Sequence, residues 1–333
     1  MVPELVLWQW VVVFAIGAAA LVRSGVTLAG AGDEIAERTG LGGLVVGILL
    51  VSFATSMPEL VTDISAAAAG APDLALGDLF GSSMANMAIL AVVDLVHRGR
   101  VWPRIGVDHA RVAAVAIALT AMAVLAIATP RAPAIGWIGL DSLVIVGAYV
   151  ASVAWFRRAS GGPGTPTGWA EAPDRGVGPL RRAGLAFAAA AAVILLAAPA
   201  TAVAAQEIAE AAGIAETTMG TGLLALATSM PELVASLAAL RIGAHDLAVG
   251  NLFGSNAANM GLIVFADAAY RPGPILAAVD PAQVVAATGA IVLMALALAA
   301  IVGGTETRLW RLEPDATLLL VVYVALLGAV AVS

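Results

Sequence analysis

Apolar residues in this 333-residue chain fall in long continuous runs, with neither the alternation of a strand nor the one-sided stripe of a soluble helix. About ten runs can be marked, at roughly 6–29, 43–69, 74–96, 108–129, 134–156, 183–205, 216–240, 247–269, 278–302 and 315–332. Each is close to the roughly 20 residues that an α-helix needs to cross the hydrocarbon core of a bilayer. The pattern predicts an all-α polytopic membrane protein. Met1 leads into the first run without a cleavage-site pattern, so that run reads as a retained span rather than a signal peptide.

Two polar blocks interrupt the runs, and they are copies of one another. The first reads FATSMPELV (Phe53 to Val61) and then GDLFGSSMANM (Gly77 to Met87). The second reads LATSMPELV (Leu226 to Val234) and then GNLFGSNAANM (Gly250 to Met260). A constant shift of 173 positions carries Glu59 to Glu232, Gly70 to Gly243, Gly81 to Gly254 and Asn86 to Asn259 without a gap. Roughly two thirds of positions match between Ala54 and Met87. EIAE at Glu34 to Glu37 recurs as EIAE at Glu207 to Glu210. The chain therefore divides into a first five-helix repeat (1–158, with its motif at 47–90) and a second (182–333, with its motif at 220–263). A Gly- and Pro-rich linker at 159–181 joins them. Five is an odd number of spans, so the repeats are expected to be inverted in the membrane, with sites at their interface.

Charge placement orients this arrangement. All 16 basic residues are arginine. With the N-terminus outside, Arg38, Arg98, Arg100, Arg104, Arg111, Arg157, Arg158, Arg175, Arg181, Arg182, Arg241, Arg308 and Arg311 fall inside, against only Arg131 and Arg271 outside. That asymmetry predicts both termini outside; the expected location is a prokaryotic plasma (inner) membrane. Trp8, Trp102, Trp155 and Trp310 suit interfacial anchors. Cysteine is absent, which removes disulfides, thiolate metal sites and cysteine nucleophiles. Neither a nucleophilic triad, nor a phosphate loop, nor a basic nucleic-acid patch is present, so an enzyme is the least favoured class. Membrane lipid and cations are the expected partners, with no nucleic acid and no obligate protein partner. No cofactor is implied.

The repeated polar residues predict an ion site. Pro58 lacks an N–H, so the carbonyl of Ala54 loses its helical partner and the helix kinks. Within a bilayer such a carbonyl must line a cavity or meet a ligand. Ser52, Thr55, Ser56 and Glu59 share one helical face by their spacing. Ala225, Thr228, Ser229 and Glu232 repeat that face, with Pro231 freeing the carbonyl of Ala227. Ser82 and Asn86, repeated as Ser255 and Asn259, supply the opposing wall. Gly81 and Gly254, like Gly77, permit close helix approach or a break. Oxygen donors without nitrogen or sulfur suit hard cations such as Ca²⁺ and Na⁺. Two mid-membrane glutamates would balance one Ca²⁺, two monovalent ions or protons. A lone Pro or Ser in a membrane helix often only kinks or bridges, but a glutamate there is expensive, and packing alone would not need the same polar set twice.

The repeats differ at two acids. Asp63 stands where the second half has Ser236, and Asp78 where it has Asn251. Both fall on site-facing stripes, on the outer side of Glu59 in the assigned topology. They predict an outer acidic vestibule that attracts cations or holds an auxiliary ion or a proton; pairing with each other, or facing water, is the competing reading. Asp94 with Arg98 and Asp267 with Arg271 are expected as intrahelical ion pairs, Asp108 and Asp280 as helix caps, and His97, His109 and His245 as solvated residues near the inner surface.

The strings ATSMPEL with GDLFGSSMANM, and ATSMPEL with GNLFGSNAANM, resemble the paired alpha repeats of the sodium/calcium exchanger family within the cation/calcium antiporter superfamily. The resemblance implies ten spans in two inverted halves and alternating access of Na⁺ and Ca²⁺ to one central cluster. It makes Glu59 and Glu232 the central ligands. Thr55, Ser56, Thr228 and Ser229 coordinate through hydroxyls or carbonyls, and Ser82, Asn86, Ser255 and Asn259 complete the site. Na⁺/Ca²⁺ antiport is the leading reading. Ca²⁺/H⁺ exchange or transport of another divalent cation is the nearest alternative, and a non-transporting scaffold or sensor the most distant.

Overall fold

A computed structural model describes residues 6–96, 101, 107–129, 133–159, 179–211, 228–303 and 314–332. The first half begins with α1 (Leu7–Thr39). A bent span follows, made of α2 (Gly42–Thr55, with a π-helical stretch at Gly47–Val51) and α3 (Met57–Ala68). Then come α4 (Pro72–Val96), α5 (Val107–Ala128), a small hairpin of β1 (Ala134–Ile135) and β2 (Ile138–Gly139), and α6 (Leu140–Ala159). The second half contains α7 (Leu180–Ala211), α8 (Met230–Arg241), α9 (His245–Ala269), the short α10 (Ile275–Ala278), α11 (Gln283–Gly303) and α12 (Pro314–Val332). Six of these helices are long and apolar enough to cross a membrane, and the bent α2–α3 pair makes a seventh. Residues 140–156 and 314–330 are shorter apolar helices. The protein is an all-helical, multi-pass membrane protein.

Several boundaries differ from the hydropathy runs. Helix α1 extends ten residues past the expected end at 29, and Gly40 in the left-handed region stops it. The expected span at 134–156 begins instead with the hairpin, in which Ala134 pairs with Gly139 and Ile135 with Ile138. Its turn needs the positive φ of Gly136, and the indole N–H of Trp137 anchors it to the carbonyl of Ala268 at 3.0 Å. Of the linker expected at 159–181, residues 160–178 lie outside the described residues, while Ala159 ends α6 and Leu180 already begins α7; residues 212–227, which hold Ala225 and Ala227, also lie outside the described residues. So do His97, Arg98, Trp102 and Trp310.

The sequence repeat has a structural counterpart in the turns. After α3, the N–H of Gly70 bonds Ala67 and the N–H of Ala71 bonds Ala66. After α8, Gly243 bonds Leu240 and Ala244 bonds Ala239. Both are Schellman motifs, and Gly70 and Gly243 occupy φ of 82° and 86°, which a residue with a Cβ adopts only under strain. Each motif sends the chain back to form an antiparallel pair, α3 with α4 and α8 with α9.

The two halves interlock. Helix α9 is enclosed over 94% of its apolar window and packs against α2, α3, α4, α5 and α6; α4, enclosed over 83%, packs against α11 and α12. Helices α1 and α7 run along one another at the periphery. Their exposed side chains include large apolar ones such as Ile16 and Leu196, as lipid contact favours. Glycine sets the closest approach. A Cβ on Gly254 would lie 2.7 Å from the Ile48 Cα, and one on Gly47 would lie 2.9 Å from the Leu247 carbonyl oxygen. The helix continues unbroken through Gly81 and Gly254. The expectation of a break there is corrected: an uninterrupted backbone ladder is retained, and Gly254 serves close packing.

Candidate cation site

Both TSMPEL segments break at the same residue of the repeat. Ser56 (φ −86°, ψ 3°) separates α2 from α3 with a 47° bend, and Ser229 (φ −82°, ψ 9°) precedes α8. Proline in the first turn of each following helix tolerates this start, because its missing N–H is an orphan there. Pro58 also offers no N–H to the Ala54 carbonyl. Glu59 and Glu232 stand in those first turns, where the helix dipole favours negative charge. Each is only 1% exposed. Each takes a hydrogen bond from its own backbone N–H, and the two lie close enough to repel one another.

Hydrogen bonds tie the four central segments together, in part symmetrically. Ser56 Oγ donates to Glu232 Oε1 at 3.3 Å. Thr55 Oγ1 lies 3.1 Å from Asn251 Oδ1, and its repeat mate Thr228 Oγ1 lies 3.5 Å from Asp78 Oδ1. Between α4 and α9, Asn86 Nδ2 donates to Asn256 Oδ1 at 2.9 Å. Asn256 Nδ2 donates to the Ser83 carbonyl at 3.2 Å, and Asn259 Nδ2 to Ser83 Oγ at 3.5 Å. Each Asn of the expected wall thus spends its amino group on the other repeat.

That choice leaves oxygens over. Glu59 Oε2, Glu232 Oε2, Asn86 Oδ1, Asn259 Oδ1 and the hydroxyls of Ser82, Ser229 and Ser255 are all buried without a hydrogen-bond partner. They belong to α3, α8, α4, α9 and the break before α8, so the expected carboxylates and wall residues sit on the segments that pack together. Ser52 is different. Its hydroxyl donates to the Ile48 carbonyl, within the turn that the π-helical stretch loosens, and Thr55 Oγ1 also bonds the Val51 and Ser52 carbonyls at 3.1 Å each. Ala54 is buried on the same segment, whereas the placement of Ala225 and Ala227 is not described. Among the described residues no three His, Asp or Glu side chains converge to hold a metal by themselves. The described buried oxygens at this position are mostly neutral, with the two glutamates the carboxylates among them.

Other polar expectations are corrected. Asp63 and Asp78 do not line an open mouth: they are 1% and 7% exposed, and their carboxyls face each other within hydrogen-bonding range. Asp267 does not pair with Arg271. Its two oxygens accept the backbone N–H groups of Ile275 (2.7 Å) and Gly139 (2.8 Å), while Arg271 stacks on Trp137 at 4.2 Å. Asp94, at the corresponding position, accepts the Val101 N–H at 3.2 Å, and its expected partner Arg98 lies outside the described residues. Asp108 lies inside the first turn of α5 and pairs with Arg111 rather than capping, whereas Asp280 accepts the Ala282 N–H ahead of α11. His109 is not solvated: it is 1% exposed, and its Nε2 lies 2.6 Å from Asp246 Oδ1. The roles of Ser83, Asn251 and Asn256 in bridging the repeats had a sequence signal only in their shift of 173 positions.

Comparison with known proteins adds to this geometry. The model of the family "Sodium/calcium exchanger protein" matches residues 9–157 and 183–332. The chain is 29% identical to the putative antiporter CaxA of Alkalimonas amylolytica, over 84% of this chain and 86% of that protein. It is 28% identical to the inner membrane protein YrbG of Escherichia coli strain K12, over 78% and 79%. A shorter stretch, 19% of this chain and 18% of the relative, is 44% identical to the sodium/calcium exchanger MaX1 of Methanosarcina acetivorans. The fold matches that of the sodium-calcium exchanger NCX_Mj, with a TM-score of 0.73 in the form soaked with 10 mM Na⁺ and zero Ca²⁺. That match covers 96% of this chain and 98% of the other, at 20% identity.

Proposed function

Because this chain belongs to the sodium/calcium exchanger protein family, we propose that it is a secondary active antiporter exchanging Na⁺ for Ca²⁺ by alternating access. The proposed site combines Glu59, Ser82 and Asn86 with Glu232, Ser229, Ser255 and Asn259. The Thr55, Ser56 and Thr228 oxygens and the Ala54 carbonyl complete it, with Ala225 and Ala227 as the repeat-related positions of Ser52 and Ala54. The observation that carries this reading is the set of buried oxygens left without a donor on the packed central segments. In a lipid-embedded interior each such oxygen is costly unless something positive meets it. A set built from carboxylate, amide and hydroxyl oxygen favours hard cations.

The same electrostatics supports coupling. Two mutually repelling carboxylates, desolvated together, are expensive to reorient empty. One Ca²⁺ or two Na⁺ neutralises them, so exchange of one cargo for the other is favoured over a return with no ion. The repeat organisation supports two inverted five-helix halves, 1–158 and 182–333, around this site. The arginine asymmetry supports both termini outside in a prokaryotic plasma membrane. The chain's lack of cysteine allows single cysteines at each end to be tested for labelling from outside the cell.

The reading is tested by ⁴⁵Ca²⁺ uptake into proteoliposomes loaded with Na⁺, beside Na⁺-free vesicles carrying a pH gradient. Uptake that requires internal Na⁺ and vanishes in the Glu59→Gln, Glu232→Gln double variant is the expected result. Uptake driven by the pH gradient alone would replace it with Ca²⁺/H⁺ exchange, and none in either vesicle would remove Ca²⁺ as the cargo.

A further inference from the structure

Internal symmetry exposes a place where the two halves solve one problem differently. In the second half, Asn251 Oδ1 lies 3.1 Å from Thr55 Oγ1, while Asn251 Nδ2 donates to Ser236 Oγ at 3.1 Å and to the Glu232 carbonyl at 3.4 Å. Ser236 Oγ in turn lies 3.3 Å from the Ala248 carbonyl. That network is neutral and satisfied. The first half keeps its frame, with Thr228 Oγ1 beside Asp78 Oδ1, but Asp78 replaces the amide and Asp63 replaces the serine.

The substitution removes every donor from the centre of the network. Where an amino group meets a hydroxyl in one half, two carboxyls meet in the other. Asp78 Oδ2 and both oxygens of Asp63 are buried without a hydrogen-bond partner. Among the described residues neither aspartate forms an ion pair with Arg or His. Two enclosed carboxyls facing each other need either a proton held between them or a cation, because burying two unpaired charges is prohibitive.

We infer that Asp63 and Asp78 form a second cation site, in which a hard cation occupies the position that the Asn251 amino group fills in the other half, while the Thr228 hydroxyl holds Asp78 Oδ1 at its edge. The site deepens the exchanger reading, since Asp78 also acts electrostatically on Glu59 and Glu232. Carboxylate oxygen selects Na⁺ or Ca²⁺ over softer metals. A cation held there adds to the number bound at the glutamates.

The test counts bound cations on the purified full chain at constant pH, using ²²Na⁺ and ⁴⁵Ca²⁺ in separate arms. The Glu59→Gln, Glu232→Gln variant removes the central carboxylates and is expected to retain one saturable cation per chain. Adding Asp63→Ser and Asp78→Asn, which copies the pair already present at Ser236 and Asn251, is expected to abolish it. With the glutamates intact, the same two changes are expected to leave one cation fewer than in the unmodified chain. Asp63→Asn alone, a change of one atom, is expected to weaken binding at this site at least tenfold. No saturable cation of either kind in the glutamate variant, or binding that survives loss of both aspartates, overturns the second site. Proton uptake in place of metal binding overturns it equally. Failure of the exchanger reading is seen separately, in the uptake experiment above.

Discussion

At the scale of single residues, the central contrast is between oxygens that have donors and oxygens that do not. Asn251 joins Thr55, Ser236 and the Glu232 carbonyl. Asn251→Ala strips that network while leaving the glutamates in place. The expected cost is about 1–3 kcal/mol, the usual penalty for orphaned buried polar groups, read as a lower unfolding temperature in detergent. His109 and Asp246 form a second buried pair, linking α5 to α9. Asp246→Leu with His109→Leu removes both partners together and is expected to be milder than Asp246→Leu alone, a double-mutant comparison of thermal stability. Glu59, Glu232 and the two prolines were legible in the sequence, because a charge and a helix breaker recur at one shift inside apolar runs. The His109–Asp246 pair was not, since its partners lie 137 positions apart and no motif joins them. The acids Asp63 and Asp78 stood out singly, but their encounter depends on the turn at Gly70 folding α4 back on α3.

At the scale of elements, two devices position the site: a helix break at Ser56 and Ser229, and glycine contacts between α2 and α9. Pro58→Ala returns an N–H to the Ala54 carbonyl and is expected to lower Ca²⁺ affinity by relaxing the 47° bend. Equal affinity in this variant would show that the bend is only structural. Gly254→Ala forces a Cβ to within 2.7 Å of the Ile48 backbone. Overpacking of this kind costs about 1–3 kcal/mol and is expected to lower both thermal stability and transport. Gly30→Ala on α1 meets nothing within 4 Å and serves as the matched control. The runs of apolar sequence located the helices well because lipid demands length and hydropathy of each. They failed at 134–139, where apolar composition hid a turn set by Gly136 and held by Trp137 and Asp267. They failed also at Gly81 and Gly254, because glycine alone does not distinguish a helix break from a close contact.

At the scale of the whole molecule, each half completes the other. Helix α4 of the first half packs against α11 and α12 of the second, and α9 packs against α5 and α6 in return. Neither half could bury its own polar face in lipid unaided. The site is therefore expected to require one residue from each half equally. Na⁺-driven ⁴⁵Ca²⁺ uptake should be compared in proteoliposomes holding the unmodified chain, Glu59→Gln or Glu232→Gln. Each single change is expected to slow exchange at least about tenfold, which corresponds to about 1.4 kcal/mol. Wild-type exchange in either single variant would contradict a cation site shared between the two repeats.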